Sequence, residues 1–349
     1  MVVPIRRRLR TLLVGVLAAA ACTTVLAAPA AAAPPPTLDR VDAAAGWLAR
    51  QMVDGERFEV VFDGTAYPDQ GLTVDAILAF AAAKSADQAA ARATAWLARP
   101  DVLAGYIGDD TEAYAGATAK LALGVQVRGL DPTAFGGVDL LDRLRGLLTP
   151  SGRFADRSAW GDYSNAFSQS FALIALARAG GAPAPAVSFL VGERCADGGF
   201  PLLFAQATCE SDVDATALVV QALTAAGRAD DARPAVAWLL ARQAADGSFS
   251  ALGVANANST GLAAQALRVA GRPLAYLKAR HFVLGLQARC AAPTADRGGI
   301  AYSAAGFDGT AVRATAQALP GLAGADFATL TATGAAPADK VLACLGGAA

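Results

Sequence analysis

The sequence predicts an all-α fold, an (α/α)6 toroid of six helical hairpins, and three observations lead there. An aromatic recurs inside Ala/Leu/Arg-rich segments at Trp47, Trp96, Phe189, Trp238 and Phe282, with spacings of 49, 93, 49 and 44 residues. The 93 is two periods, because the third copy carries Leu144 and Leu147 instead. Each segment runs into a glycine turn and an aromatic: Gly55 and Phe58, Gly105 and Tyr106, Gly152 and Phe154, Gly198 and Phe200, Gly247 and Phe249, Gly299 and Tyr302. A polar loop and a second segment follow, beginning near Thr73, Thr111, Ser164, Asp212, Asn258 and Thr310. Ala and Leu favour helix, and the Val/Ile/Thr alternation of strands is scarce. The first segments carry arginines on one face, whereas the second are apolar nearly all round, the pattern of outer helices enclosing inner ones. Three inner helices share Gln-Ala-Leu, starting at Gln221, Gln265 and Gln317. Six copies of about 48 residues fill one toroid domain, residues 37–349.

Ahead of it stand Arg6, Arg7, Arg8 and Arg10, an apolar run from Leu12 to Cys22, and an Ala/Pro stretch with small-residue cleavage choices near residue 30. This order predicts a secretory signal peptide over residues 1–33 and a secreted, extracellular protein. The run is short of the roughly 18 residues of a membrane span, and no other stretch looks membrane-spanning. Export leaves Cys195, Cys209, Cys290 and Cys344 in an oxidising compartment, where disulfides are expected. Neighbours in sequence suggest Cys195 with Cys209 and Cys290 with Cys344, although four cysteines permit three pairings.

Charge and motifs exclude several functions. Without the four leader arginines, 25 basic side chains face 30 acidic ones, a net charge of -5, so no basic surface is left for nucleic acid. His281 is the single histidine, and there is no Cys-x-x-Cys. No metal and no cofactor are therefore expected, and any Ser-His-Asp triad would depend on that one residue. Neither Gly-x-Gly-x-x-Gly nor Gly-Lys-Ser/Thr occurs, which removes a Rossmann site and a P-loop.

Gln243-Ala244-Ala245-Asp246-Gly247-Ser248-Phe249 resembles the Gln-x-x-x-Gly-x-Trp repeat of the prenyltransferase and squalene cyclase superfamily, with Phe in place of Trp. Gln51 to Gly55 and Asp197-Gly198-Gly199-Phe200 look like weaker copies. Asp212-Val213-Asp214-Ala215-Thr216-Ala217 resembles the Asp-x-Asp-Asp-Thr-Ala start of an inner helix in class II terpene cyclases, Ala215 standing where that pattern has its last Asp. The resemblance implies Asp214 as a proton donor flanked by Asp212. A plainer reading of both is helix capping, since Asp at a helix start accepts from free backbone N–H groups. The Asp-x-Cys pair of zinc prenyltransferases is missing, as is the Gly-Cys-Gly-Glu-Gln thioester of complement-type toroids. Gly108-Asp109-Asp110-Thr111-Glu112 is not the Asp-Asp-x-x-Asp that holds magnesium diphosphate. The chain also resembles the helical domain of transcobalamin-like carriers, but it ends directly after the sixth repeat, so a corrinoid would need its lid from a separate partner.

In such a barrel the six inner-helix starts gather at one end around a central hollow. The candidate ligand-binding residues there are Asp110, Glu112, Asn165, Ser168, Asn258, Ser259 and Thr260, with Thr73, Asp75 and Thr310 at equivalent starts. Trp160, Tyr163, Phe204, Tyr302 and Phe307 are candidate walls. Three functions stay open: a non-catalytic binding module for a small molecule, glycan or cell-surface protein; a terpene cyclase or prenyltransferase-like enzyme using Asp214; and a glycan-cleaving enzyme using two carboxylates such as Asp110 and Asp214, which demands carboxyl groups roughly 5 to 9.5 Å apart across an open cleft.

Overall fold

The structure, a computed structural model, describes residues 33–109 and 111–344. Most of the predicted leader lies outside the described residues. Thirteen helices follow in chain order among those described: α1 (Arg40–Arg50), α2 (Gln70–Ala83), α3 (Asp87–Leu97), α4 (Pro100–Ile107), α5 (Ala115–Val127), α6 (Leu140–Arg145), α7 (Ala166–Arg178), α8 (Ala184–Gly192), α9 (Val213–Ala225), α10 (Ala229–Arg242), α11 (Ala257–Val269), α12 (Pro273–Gly285) and α13 (Ala311–Ala323). Helices α2, α5, α7, α9, α11 and α13 form the inner ring. Each packs on the next in that order, and α13 returns onto α2 to close it. The all-α toroid is as predicted, and the inner helices begin within a few residues of their expected positions.

One buried hydrogen bond recurs in the hairpins. The residue after the glycine turn is buried, and its backbone N–H donates to a side chain on the following inner helix. Phe58 donates to Thr73 Oγ1 (3.0 Å), Phe154 to Gln169 Oε1 (2.9 Å), Phe200 to Thr216 Oγ1 (2.9 Å), Phe249 to Thr260 Oγ1 (2.9 Å) and Ile300 to Thr315 Oγ1 (2.8 Å). The sixth turn is thus Gly298 and Ile300, one residue before the expected Gly299, with Tyr302 beyond it. The second repeat departs further. Gly105 and Tyr106 lie inside α4, an inserted helix opened by Pro100, and the turn moves to Gly108 at φ +85°.

Glutamines lock neighbouring hairpins together. Gln243 Nε2 donates to Gly247 O within its own repeat and to Ala275 O of the next outer helix, at 3.1 and 2.8 Å. Gln287 Nε2 does the same across the ring closure, donating to Gly298 O and to Arg40 O at 2.8 Å each. This is the physical content of the Gln-x-x-x-Gly pattern. Gly298 sits at φ +102°, and a Cβ there would come within 2.4 Å of Ala43 O on α1, so both backbone angle and space demand glycine. Between α11 and α13, a Cβ on Gly321 would meet Gly261 O at 2.0 Å, so these two inner helices touch through bare backbone.

After α13 the chain continues as a tail that the repeat count missed. It runs over the C-terminal ends of the inner helices, where four carbonyls per helix lack intrahelical donors. Ala332 N–H donates to Val127 O (2.8 Å) and Ala336 N–H to Lys84 O (2.9 Å), while Arg178 donates to Phe327 O, Ala328 O and Leu330 O at 2.9 Å each. Phe327, Leu330 and Ala332 are buried, so the tail seals that end of the barrel. It finishes with residues 341–342 paired in parallel to residues 36–37, and with a disulfide from Cys344 to Cys290. The second disulfide joins Cys195 to Cys209. Both pairings are those suggested by sequence proximity.

Replacing Gln287 by Ala removes the donor shared by Gly298 O and Arg40 O and the acceptor of Arg40 Nε at the ring closure. Chemical denaturation should register a loss of about 2–4 kcal/mol, against about 0.5 kcal/mol or less for an exposed glutamine such as Gln206.

Candidate functional site

The inner-helix N-terminal end is stitched by loops that reach from one repeat to the next. Ala115 N–H donates to Asp156 Oδ1 (2.7 Å), Ala166 N–H to Leu202 O (3.0 Å) and Ala257 N–H to Tyr302 O (2.7 Å). Several predicted site residues are consumed by this framework. Asn165 caps α7 and forms a capping box with Ser168, and Asp212 caps α9 through Ala215 N–H at 2.7 Å. Thr73 and Thr260 are fully buried acceptors of the turn N–H groups, and Glu112 holds the next loop by accepting from Ala159 N–H at 3.1 Å. The hydrogen bond from Ser158, with that from Ala159, pulls the Glu112 carboxyl below its usual range. The caps of α7 and α11 are Asn165 and Asn256, not Ser164 and Asn258. Asp110 lies outside the described residues.

The expected aromatic walls separate into two sets. Phe204 is buried edge-on against Phe189, and Phe307 lies edge-on against Trp47, so neither faces the hollow. Tyr302 and Asn258 line a groove of about 460 Å³ with Phe58, Val60, Thr310 and Arg313. Trp160 and Tyr163 instead project outward, 79% and 71% exposed. They have unforeseen company on the same rim. Val61 and Phe62 stand exposed on the hairpin of residues 59–62 and 65–68, Leu203 on the loop before α9, and Leu252 and Val254 on the hairpin before α11. The barrel mouth is therefore ringed by apolar side chains in solvent.

Inside lies a small hollow of about 160 Å³. Asp75 and Lys120 form an ion pair across it at 2.5 Å, and Gln317 Nε2 donates to Asp75 Oδ2 at 3.2 Å. Asn258 Nδ2 supports Gln317 through its Oε1 at 2.5 Å, and Lys120 Nζ sits 5.9 Å from the Phe171 ring centre. Asp214 enters from the mouth, with the Ser259 hydroxyl as hydrogen-bond partner. Burial raises its carboxyl to about pKa 6; the Ser259 bond opposes this and the nearby Asp212 charge adds to it. The fully buried Gln265 also lines the hollow. Of the predicted residues, Asp75 and Asp214 line this hollow, and Asn258 and Ser259 stand behind it as hydrogen-bond partners of Gln317 and Asp214. Lys120, Gln265, Gln317 and the phenylalanines were missed. Their signal was available, as isolated charged or amide residues within otherwise apolar inner helices.

Among the described residues no group of acidic, histidine or cysteine side chains could hold a metal ion, and no helix is long and apolar enough to cross a membrane. His281 is exposed on α12.

No protein-family model matches the sequence, and no curated protein sequence matches it either. Solved structures share the fold. The type II terpene cyclase MstE from Scytonema has a TM-score of 0.62 at 16% identity, covering 82% of this chain and 98% of that one. An unsaturated glucuronyl hydrolase specific for heparin has a TM-score of 0.56 at 13% identity, covering 81% and 95%. Haptocorrin in complex with Cbi has a TM-score of 0.52 at 15% identity, covering 84% and 68%. The chain therefore has a terpene cyclase-like α/α toroid fold.

An acid whose folded pKa of about 6 exceeds its unfolded value binds its proton more tightly when folded. Its contribution to stability is fully present below about pH 4 and is lost as pH rises through 6. Asp214→Asn should accordingly stabilise the protein by about 2–3 kcal/mol at pH 8 and by almost nothing at pH 4, measured by urea unfolding at both values.

Proposed function

We propose that the chain is a secreted, non-catalytic binding module that takes a cell-surface protein on the rim at the inner-helix N-terminal end. One observation carries this reading: Phe62, Trp160, Tyr163, Leu203 and Leu252 stand exposed on the loops that lead into the inner helices α2, α7, α9 and α11. Soluble monomers expose few large apolar side chains in groups, and groups of them mark interaction surfaces, whose centres are rich in aromatics. The two disulfides accord with an oxidising extracellular setting.

The interior speaks for binding without chemistry. A hollow of about 160 Å³ falls below the roughly 300–1,000 Å³ that drug-sized ligands need, so a polyisoprenoid or an oligosaccharide does not fit inside it. Protonating an alkene demands a strong acid, whereas the buried Asp214 carboxyl is a weakened one, its hydrogen bond coming from a single neutral hydroxyl. The glycan-cleaving reading pairs Asp214 with Asp110, which lies outside the described residues, and the other carboxylate that lines the hollow, Asp75, is already committed to Lys120.

Two measurements test the proposal. With geranylgeranyl dihydroxybenzoate, the substrate found in complex with the Scytonema cyclase, the protein should release no cyclised product. A product whose formation Asp214→Asn abolishes contradicts the non-catalytic reading. In adsorption to cells of the producing organism, the double variant Phe62→Ser/Trp160→Ser should bind at least tenfold more weakly than the unaltered protein. Undiminished adsorption contradicts the rim assignment.

A further inference from the structure

We propose that the hollow inside the barrel is a binding site for one small neutral polyol, about the size of a single sugar ring. This goes beyond the rim reading and stands on separate observations. The hollow opens beside Phe167 and Asp214, the second residues of α7 and α9, and its floor is Phe327 of the C-terminal tail. With liquid water at about 30 Å³ per molecule, the 160 Å³ hold about five waters or one compact ring.

The polar lining is incompletely satisfied. Gln265 has no solvent exposure, yet neither its Oε1 nor its Nε2 has a hydrogen-bond partner. Asp214 Oδ1 is likewise buried without one. Unpartnered amide and carboxyl groups are costly inside a protein and are normally met by a bound molecule or ordered water. Gln265 offers a donor and an acceptor side by side, and a hydroxyl is the simple group that answers both.

Charge narrows the class. Lys120 and Asp75 neutralise one another, and both are further tied, to Gly71 O (3.0 Å) and to Gln317. With that pair spent, the carboxyl of Asp214 disfavours an anionic ligand, and the unpartnered amide of Gln265 asks for a group that both donates and accepts, which a bare cation does not. A neutral hydroxyl compound meets both conditions. Phe167, Phe171, Phe327 and Leu262 supply apolar faces for the C–H surfaces of a ring. The pattern of few convergent polar groups on an apolar wall is that of a small-molecule pocket.

The test is isothermal titration of the full protein with glycerol, myo-inositol, D-glucose, D-galactose, D-mannose and N-acetylglucosamine. At least one should bind with one-to-one stoichiometry. Gln265→Leu keeps the side-chain volume and removes the unpartnered amide, so it should retain or raise the thermal midpoint while weakening that binding at least tenfold. Circular dichroism of the variant separates lost binding from lost folding. The proposal is overturned if no member of the panel binds, if Gln265→Leu binds as well as the unaltered protein, or if a crystal grown at saturating ligand shows only ordered water on Gln265.

Discussion

The buried hydrogen bond at five of the six hairpin turns is the constraint on which the other features hang. A backbone N–H at Phe58, Phe154, Phe200, Phe249 or Ile300 must find an acceptor away from water, and an inner-helix threonine or glutamine supplies it. Without that acceptor each turn would forfeit about 1–3 kcal/mol. The bond sets how far the loop rises above the inner helix before the chain descends. It therefore fixes the height of the rim, and glutamine bridges such as Gln243 and Gln287 carry the same register to the next repeat.

A ring built this way has two unlike ends. At one, inner-helix N-terminal N–H groups are satisfied by caps and neighbouring loops, leaving exposed apolar side chains above them. At the other, inner-helix carbonyls receive donors from the tail, and Phe327 closes the hollow. The disulfide between Cys290 and Cys344 fixes that tail against the outer surface. One end is thus sealed and the other open, and the proposed binding surface lies at the open one.

The toroid was legible because its signals repeat: a glycine turn, an aromatic or other apolar residue, and an inner helix that opens with small polar residues. The inserted α4 was not, since Pro100 to Ile107 reads as one more Ala/Leu segment and its Gly105 and Tyr106 imitate a turn. The site was harder. Thr73, Asn165, Ser168 and Thr260 carry the side chains expected of ligand contacts, but helix starts and turns need the same chemistry, and sequence alone does not separate the two uses. Asp75 and Asp214 were found, whereas Lys120 stands alone mid-helix and Gln265 is legible only as part of the repeated Gln-Ala-Leu, which marks the helix and not the hollow. The tail floor depends on contacts between residues over a hundred positions apart, such as Arg178 with Phe327, which periodicity does not encode.

Amide hydrogen–deuterium exchange with and without the envelope fraction of the producing cells tests most directly the assignment of function to the open end. Protection confined to residues 59–68, 156–165, 201–212 and 250–256 is the predicted result. Protection on α10 and α12, where Leu240, Leu274 and Leu277 are also exposed, with the rim unchanged, would place the working surface on the outside of the toroid and contradict the account.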